Sequence, residues 1–282
     1  MKVTNKKGLP QALVDAVQRS HRGEAYTASS LTKTARQYWL TRRHEITRDV
    51  SDLIWQIFGT AVHSILEKAD NENRLTEEYL SKDFNGKKLS GICDVYDNGI
   101  IQDWKTTSVW AYIFMDDAKM ADYESQLNTY AYLYRSHGFP VNELQIVMLF
   151  RDWQASKAKY DSEYPQSQVE VVPVKLWSES KQLGYIVGSI SYYESFRDVP
   201  DNDLPFCTPE QRWAKPGKWA VMKKGRKSAI KLHSDEIEAH EHADNLGTGH
   251  YVEERPGEQW KRCEYCDARE FCNQYKEGNS ES

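Results

Sequence analysis

The chain has 282 residues, a formal net charge of −5 and five cysteines. That length can bury a substantial core, either as one domain or as one domain with an insertion. The acidic balance excludes a protein whose whole surface is built for polyanions, so any nucleic-acid surface has to be local. No apolar run approaches the length of a membrane span, and Met1-Lys2-Val3-Thr4-Asn5-Lys6-Lys7 has no apolar signal core behind it. These features predict a cytoplasmic protein with no membrane partner, whose cysteines are thiols or metal ligands rather than disulfides.

In chain order, residues 1–24 read as a polar lead-in with a short helix from near Gln11 to Arg19. Tyr26 to Leu31 then sets up a helix start, with Ser29 or Ser30 as N-cap. That helix runs through Ala35, Arg36, Tyr38, Trp39 and Leu40, its aromatics are assigned to the core, and Arg36, Arg42 and Arg43 are left for phosphate or solvent. Phe58 to Glu67 reads as a second helix with Val62, Ile65 and Leu66 as its apolar stripe. His63 and Glu67 lie one turn apart on one face, and Gly59 permits close packing. Residues 70–88 are polar and read as loop or helix end.

The centre of the chain is Gly91 to Thr106. Asp97-Asn98-Gly99 is a turn signal between Ile92–Tyr96 and Ile100–Trp104, so the stretch reads as a β-hairpin. Asp103 and Lys105 share a strand face, and Asp94 on the partner strand can join them. Two such oxygen donors suit Mg²⁺ or Mn²⁺, which polarises a phosphoryl oxygen and lowers the pKa of a bound water. An ordinary surface ion pair is the competing reading of Asp-x-Lys taken alone. Cys93, beside Asp94, is assigned to the other face and the core.

Asp122 to Tyr134 reads as a helix with Gln126 and Tyr130 on one side. Leu144–Phe150 and Gln168–Leu176 read as strands. Glu179–Phe196 reads as a helix with apolar positions at Leu183, Ile186, Val187 and Ile190. The sum is an α/β core.

Beyond it, Lys218–Lys223 and Ala229–Leu232 predict two strands joined at Lys224-Gly225-Arg226-Lys227. A helix from Asp235 to Leu246 capped by Ser234 follows, then a strand over His250–Glu253. Lys223, Lys224, Arg226 and Lys227, with Trp213 and Trp219 nearby, make either a phosphate-tracking surface or a solvated basic hairpin. Cys263-x2-Cys266-x5-Cys272 has metal-ligand spacing. A fourth ligand is needed, and ligand count alone does not separate zinc from an iron–sulfur cluster.

Four motifs in order, Gly59-x3-His63-x3-Glu67, Gly91-x2-Asp94, Asp103-x-Lys105 and Gln126-x3-Tyr130, resemble those of the PD-(D/E)XK nuclease superfamily. The likeness is to RecB-like, CRISPR-associated-type exonucleases with a C-terminal cysteine cluster and to their phage-encoded relatives. It implies a restriction-endonuclease-like core, a central mixed sheet flanked by helices, over residues 25–206. A basic insertion over 207–258 and a cysteine segment and tail over 259–282 would follow. The resemblance implies that His63, Asp94, Asp103 and the Trp104 carbonyl hold Mg²⁺ or Mn²⁺. Lys105 would position or activate the water, Gln126 and Tyr130 would flank the site, and Glu67 would support it from outside. The implied activity is metal-dependent exonucleolytic hydrolysis of DNA in recombination or repair, with DNA and a recombination protein as partners. A catalytically silent DNA-binding or assembly subunit with the same fold is the alternative.

Relatives of the iron–sulfur kind add a cysteine from an N-terminal helix to the C-terminal trio. The matching stretch here, Thr34-Ala35-Arg36-Gln37-Tyr38, has none. Cys207, in Leu204-Pro205-Phe206-Cys207-Thr208-Pro209, is its expected replacement. The family likeness favours a [4Fe–4S] cluster on Cys207, Cys263, Cys266 and Cys272, with Zn²⁺ as the alternative.

Overall fold

A computed structural model describes residues 1–17, 26–68 and 74–280. The chain forms two compact units, Met1–Val199 and Pro200–Ser282.

The first unit begins with β1 (Lys2–Thr4), α1 (Gln11–Val17), β2 (Tyr26–Thr27), α2 (Ala35–Arg43), β3 (Thr47–Asp49) and α3 (Val50–Glu67). It continues with β4 (Arg74–Phe84), β5 (Lys87–Asp97), β6 (Ile100–Thr107), α4 (Val109–Ile113) and α5 (Asp117–Ser136). It ends with β7 (Glu143–Phe150), α6 (Ala155–Tyr160), β8 (Val169–Val174) and α7 (Glu179–Glu194). This is the expected α/β class: a mixed six-stranded sheet of order β2-β5-β6-β7-β8, with β4 also paired to β5, flanked by helices. β5 and β6 are antiparallel, whereas β6 and β7 are parallel and joined through α5.

The hairpin forms as the sequence dictates. Asn98 has φ 48° and Gly99 φ 89°, the paired positive angles of a type I′ turn that matches strand twist. Only Val95–Asp97 pairs with Ile100–Gln102. β6 pairs with β7 along its whole length and past Gln102 with β7 alone, while β5 pairs with β4 and, at Leu89 and Ser90, with β2. The sheet therefore forks just beyond the hairpin.

Alternation along β5 separates two faces. Gly91 and Cys93 turn to α5, whose Leu127, Ala131, Leu133 and Tyr134 are buried. Cys93 is 1% exposed, as expected of a core residue. Asp94 turns the other way, toward α3. The lead-in folds onto α3, where Val14, Val17, Val50 and Leu53 make one apolar cluster with Val3 and Leu9.

Several local expectations are corrected. Residues 74–88, read as loop, are mostly strand: β4 is polar because part of it stays accessible, but it pairs with β5 along nearly its whole length. The N-cap of α2 is Thr34, whose hydroxyl accepts from Gln37 N, while Ser30 closes a turn with Thr27. Ile65 is 68% exposed, so it is no part of the apolar stripe of α3. In α7 only Ile186 and Ile190 of the four apolar positions are buried. Arg36 is buried, and Arg43 donates to the carbonyls of Phe196, Arg197 and Val199. Arg42 stacks over Tyr38 at 4.7 Å. Arg36 and Arg43 thus serve the packing of the unit rather than a phosphate surface.

The second unit contains β9 (Lys218–Lys223), β10 (Lys231–His233), α8 (Glu236–Leu246), β11 (His250–Arg255) and α9 (Asn273–Ser280). β9 lies between β10 and β11, and α8 closes on them through Ala239, Ala243 and Val221. The cap of α8 is Asp235, which accepts from Glu238 N, rather than Ser234. The basic tip Lys223–Lys227 is exposed, but the tryptophans do not interleave with it. Trp219 joins the apolar cluster, and Trp213 lies under Arg262. None of the described helices is long and apolar enough to cross a membrane.

Candidate active site

The fork in the sheet collects the polar residues that the motifs single out. Asp94 leaves β5 just past the last β5–β6 pair, and its Oδ2 accepts from the Trp104 amide at 2.6 Å. His63 arrives from α3, with Nδ1 3.4 Å from Asp94 Oδ1. Asp103 and Lys105 share the face of β6 that looks on α5, and Lys105 Nζ lies 2.6 Å from Asp103 Oδ2. From α5, Gln126 Nε2 donates to the Tyr130 hydroxyl at 3.1 Å and, at the limit of hydrogen bonding, to Asp103 Oδ1 at 3.5 Å. His63, Asp94, Asp103, Lys105, Gln126 and Tyr130 thus come together from three separate stretches of chain. The side chain of Glu67 lies outside the described residues.

One member was not legible. Glu77 of β4, in the stretch read as loop, accepts from or donates to His63 Nδ1 at 2.6 Å according to proton placement. It sits opposite Asp94 in the β4–β5 register and adopts φ 53°, a left-handed conformation that costs a non-glycine residue free energy. His63, Glu77 and Asp94 offer ligand atoms all within 4.8 Å of one another, enough for a metal ion. The one signal in the sequence was a carboxylate on the segment leading into the hairpin, which polarity alone could not separate from a surface glutamate.

The electrostatics are those of a site assembled for positive charge. Burial, and then the neighbouring Asp103 carboxylate, push Asp94 above the usual carboxylate range, with Lys105 opposing. Burial would lower Lys105, but Asp103 and Asp94 outweigh it and raise its pKa. The Glu77 hydrogen bond raises His63 despite burial. Burial holds the Tyr130 phenol neutral. Asp103 is 2% exposed, and its Oδ2 faces Lys105 Nζ at 2.6 Å. A carboxylate oxygen has two lone pairs, so one stays available for a cation. Hard carboxylate oxygens and an imidazole fit Mg²⁺ or Mn²⁺.

The other four cysteines gather in the second unit. Tight turns carry Cys263 and Cys266, the Cys266 amide donating to the Cys263 carbonyl at 3.1 Å. Cys207 joins them through Gln274, whose side chain accepts from the Cys207 amide and donates to its carbonyl, both at 2.8 Å. Burial first, then Cys266, Cys207 and Cys272, push the Cys263 thiol up to about 11. Burial, together with Cys207 and Cys272, likewise raises Cys266. Cys207, Cys263, Cys266 and Cys272, the set named from the sequence, thus lie near enough to influence one another.

No protein-family model matches the sequence, and no curated protein does. Among solved structures, the chain is similar to SSO0001 at 16% identity, covering 68% of this chain and 85% of that one with a TM-score of 0.40. It is similar to a phage related exonuclease from Haemophilus somnus 129PT at 15% identity, over 62% of this chain and 96% of that one, TM-score 0.40. It is also similar to an alkaline exonuclease from Laribacter hongkongensis at 12% identity, over 61% of this chain and 88% of that one, TM-score 0.38.

Proposed function

We propose that the protein is a divalent-cation-dependent deoxyribonuclease that hydrolyses phosphodiester bonds from DNA ends in recombination or repair. The observation that carries this reading is the convergence of His63, Asp94, Asp103 and Lys105, with Gln126 and Tyr130 behind them, at the fork of the sheet. His63, Asp94, Asp103 and the Trp104 carbonyl are the residues to hold Mg²⁺ or Mn²⁺, with Glu77 holding the imidazole of His63. When bound, the ion supplies charge for the phosphoryl oxygens and acidity for water.

The residues of the chain do the rest. Lys105, kept protonated by two carboxylates, offers N–H groups to the attacking oxygen or the phosphate. Water attacks phosphorus, the bond to the leaving sugar oxygen breaks, and the leaving oxygen takes up a proton. Gln126 donates to Asp103 and Tyr130, which fixes the carboxylate that Lys105 faces. Four thiols from the second unit carry a [4Fe–4S] cluster in a structural role, with Zn²⁺ the alternative.

Cleavage of end-labelled linear DNA with Mg²⁺ or Mn²⁺, by the parent and by Lys105→Ala, tests the proposal. Metal-dependent loss of label by the parent alone is expected, and the product ladder from each end gives the polarity. A well-folded parent that cuts neither single- nor double-stranded DNA would leave a silent DNA-binding or assembly subunit. Iron and sulfide in anaerobically purified protein test the cluster, and zinc without iron would refute it.

A further inference from the structure

Four large aromatic side chains stay in water around the outer end of β6. Trp55 and Phe58 of α3 are 61% and 51% exposed, and Trp110 and Phe114 of α4 are 49% and 74% exposed. A buried use would hide such rings, since each covers a large apolar area. They are instead arranged in pairs, with ring centroids 5.5 Å apart for Trp55–Phe58 and 5.6 Å for Trp110–Phe114, the latter nearly parallel at 14°. Each pair carries a cation. Arg151 lies over Trp55 at 4.7 Å, and Lys157 over Trp110 at 5.7 Å.

The chain ties both pairs to the active-site strand. β6 ends at Thr107, whose carbonyl accepts from the Arg151 amide at 3.0 Å. Ser108 then caps α4, and the Val109 amide donates to Asp152. On α3, Trp55, Gly59 and His63 recur every four residues and share one side of the helix. A Cβ added at Gly59 would stand 3.7 Å from Thr106 Oγ1, so that side runs along β6. At 1.5 Å per residue, Trp55 lies about 12 Å from His63 along the helix axis.

We propose that these rings form a stacking platform for unpaired bases of a nucleic-acid strand whose backbone reaches the fork. Aromatic faces accept any base, and cations laid on them neutralise the accompanying phosphates. A folded protein partner would find flat rings already covered by guanidinium and ammonium groups, whereas a polyanion complements both features. The substrate class that follows is a single strand or an end with melted pairs. This rests on the nuclease reading only for where the strand leads.

The test is fluorescence anisotropy of a labelled oligothymidylate and of a blunt duplex, in EDTA so that no cleavage occurs. Trp55→Ala and Trp110→Ala should each weaken oligothymidylate binding on the order of tenfold and change duplex binding little. Trp55→Phe should retain most of the affinity, because a ring remains. Circular dichroism checks the fold of each variant. Binding in EDTA is read apart from cleavage with Mg²⁺, so a failed platform shows in binding and a failed nuclease assignment shows in cleavage. Unchanged oligothymidylate affinity in both alanine variants would overturn the platform. So would no binding by the parent, an equal loss for duplex, or a parent dimer in sedimentation that the alanine variants dissolve.

Discussion

Glu77 permits a test in which the sign of an effect, rather than its size, decides. A left-handed conformation costs a residue with a Cβ roughly 1–2 kcal/mol. Glycine is free of that cost but is about 0.5–1 kcal/mol worse than alanine inside an ordinary strand. Glu77→Ala and Glu77→Gly both delete the carboxylate and its 2.6 Å contact with His63, so the difference between them isolates the backbone at φ 53°. Subtracting the two terms, Glu77→Gly should be the more stable by about 0.75 kcal/mol at the midpoints and by at most about 1.5 kcal/mol. At every other interior position of β4 the order should be reversed. Urea unfolding followed by circular dichroism measures the difference through the midpoint at constant slope. Because the Glu77 hydrogen bond is the main cause raising His63, both variants should also lower the imidazole pKa by NMR titration. Glu77→Ala as stable as Glu77→Gly, or more so, would refute the assigned backbone, and an unmoved His63 would refute the contact.

Three further outcomes follow from packing and charge. Gly91→Ala places a Cβ 2.8 and 2.9 Å from ring carbons of Tyr130 and 3.0 Å from Leu133; overpacking of this kind costs about 1–3 kcal/mol, and an unchanged urea midpoint would mean that Tyr130 does not pack there. Against the pull of burial, hydrogen bonds from Arg197, Lys87 and Tyr26 hold Glu194 down at about 2, below its ordinary 4.5. The folded value is the lower one, so this stabilisation is complete above pH 4.5 and fades as the pH falls toward 2. Glu194→Gln should remove that part of the acid dependence, and identical acid-unfolding curves would count against the cluster. Gln274→Ala removes the two hydrogen bonds that its side chain makes to the Cys207 backbone and should lower metal content per chain, measured by elemental analysis, without altering the fold of the first unit.

The sequence made the hairpin, the partner helices and six converging side chains legible, because each rests on a local rule. Asn98-Gly99 specifies its turn, alternation puts Asp103 and Lys105 together, and four-residue spacing pairs Gln126 with Tyr130. What stayed hidden depends on burial. β4 reads as loop because its polar residues face solvent while its backbone pairs with β5, and strand pairing leaves no trace in side-chain polarity. Arg36 and Arg43 read as open to phosphate or solvent because a charged side chain gives no hint that it will be buried or, for Arg43, of the carbonyls it will meet. The helix caps slipped from Ser30 to Thr34 and from Ser234 to Asp235 because several hydroxyls and carboxylates near a helix start can each accept the same amide. Trp219 and Trp213 lie among lysines and arginines in sequence, but one enters the core of the second unit and the other takes Arg262 as a cover.

The fork in the sheet separates two kinds of spacing at the candidate site. The three paired positions from Val95 to Asp97 with Gln102 to Ile100 join the strands, and the two arms run on as β5 with β4 and β6 with β7. Asp94 and Asp103 stand one residue beyond the last pair, so the distance between the two carboxylates is set by a short hairpin and the bond from the Trp104 amide to Asp94. The far ends of the arms, at Lys87 and Thr107, answer to separate partners, β4 and β7. One short ladder therefore fixes the groups that need a fixed spacing, whatever partners the rest of each strand takes.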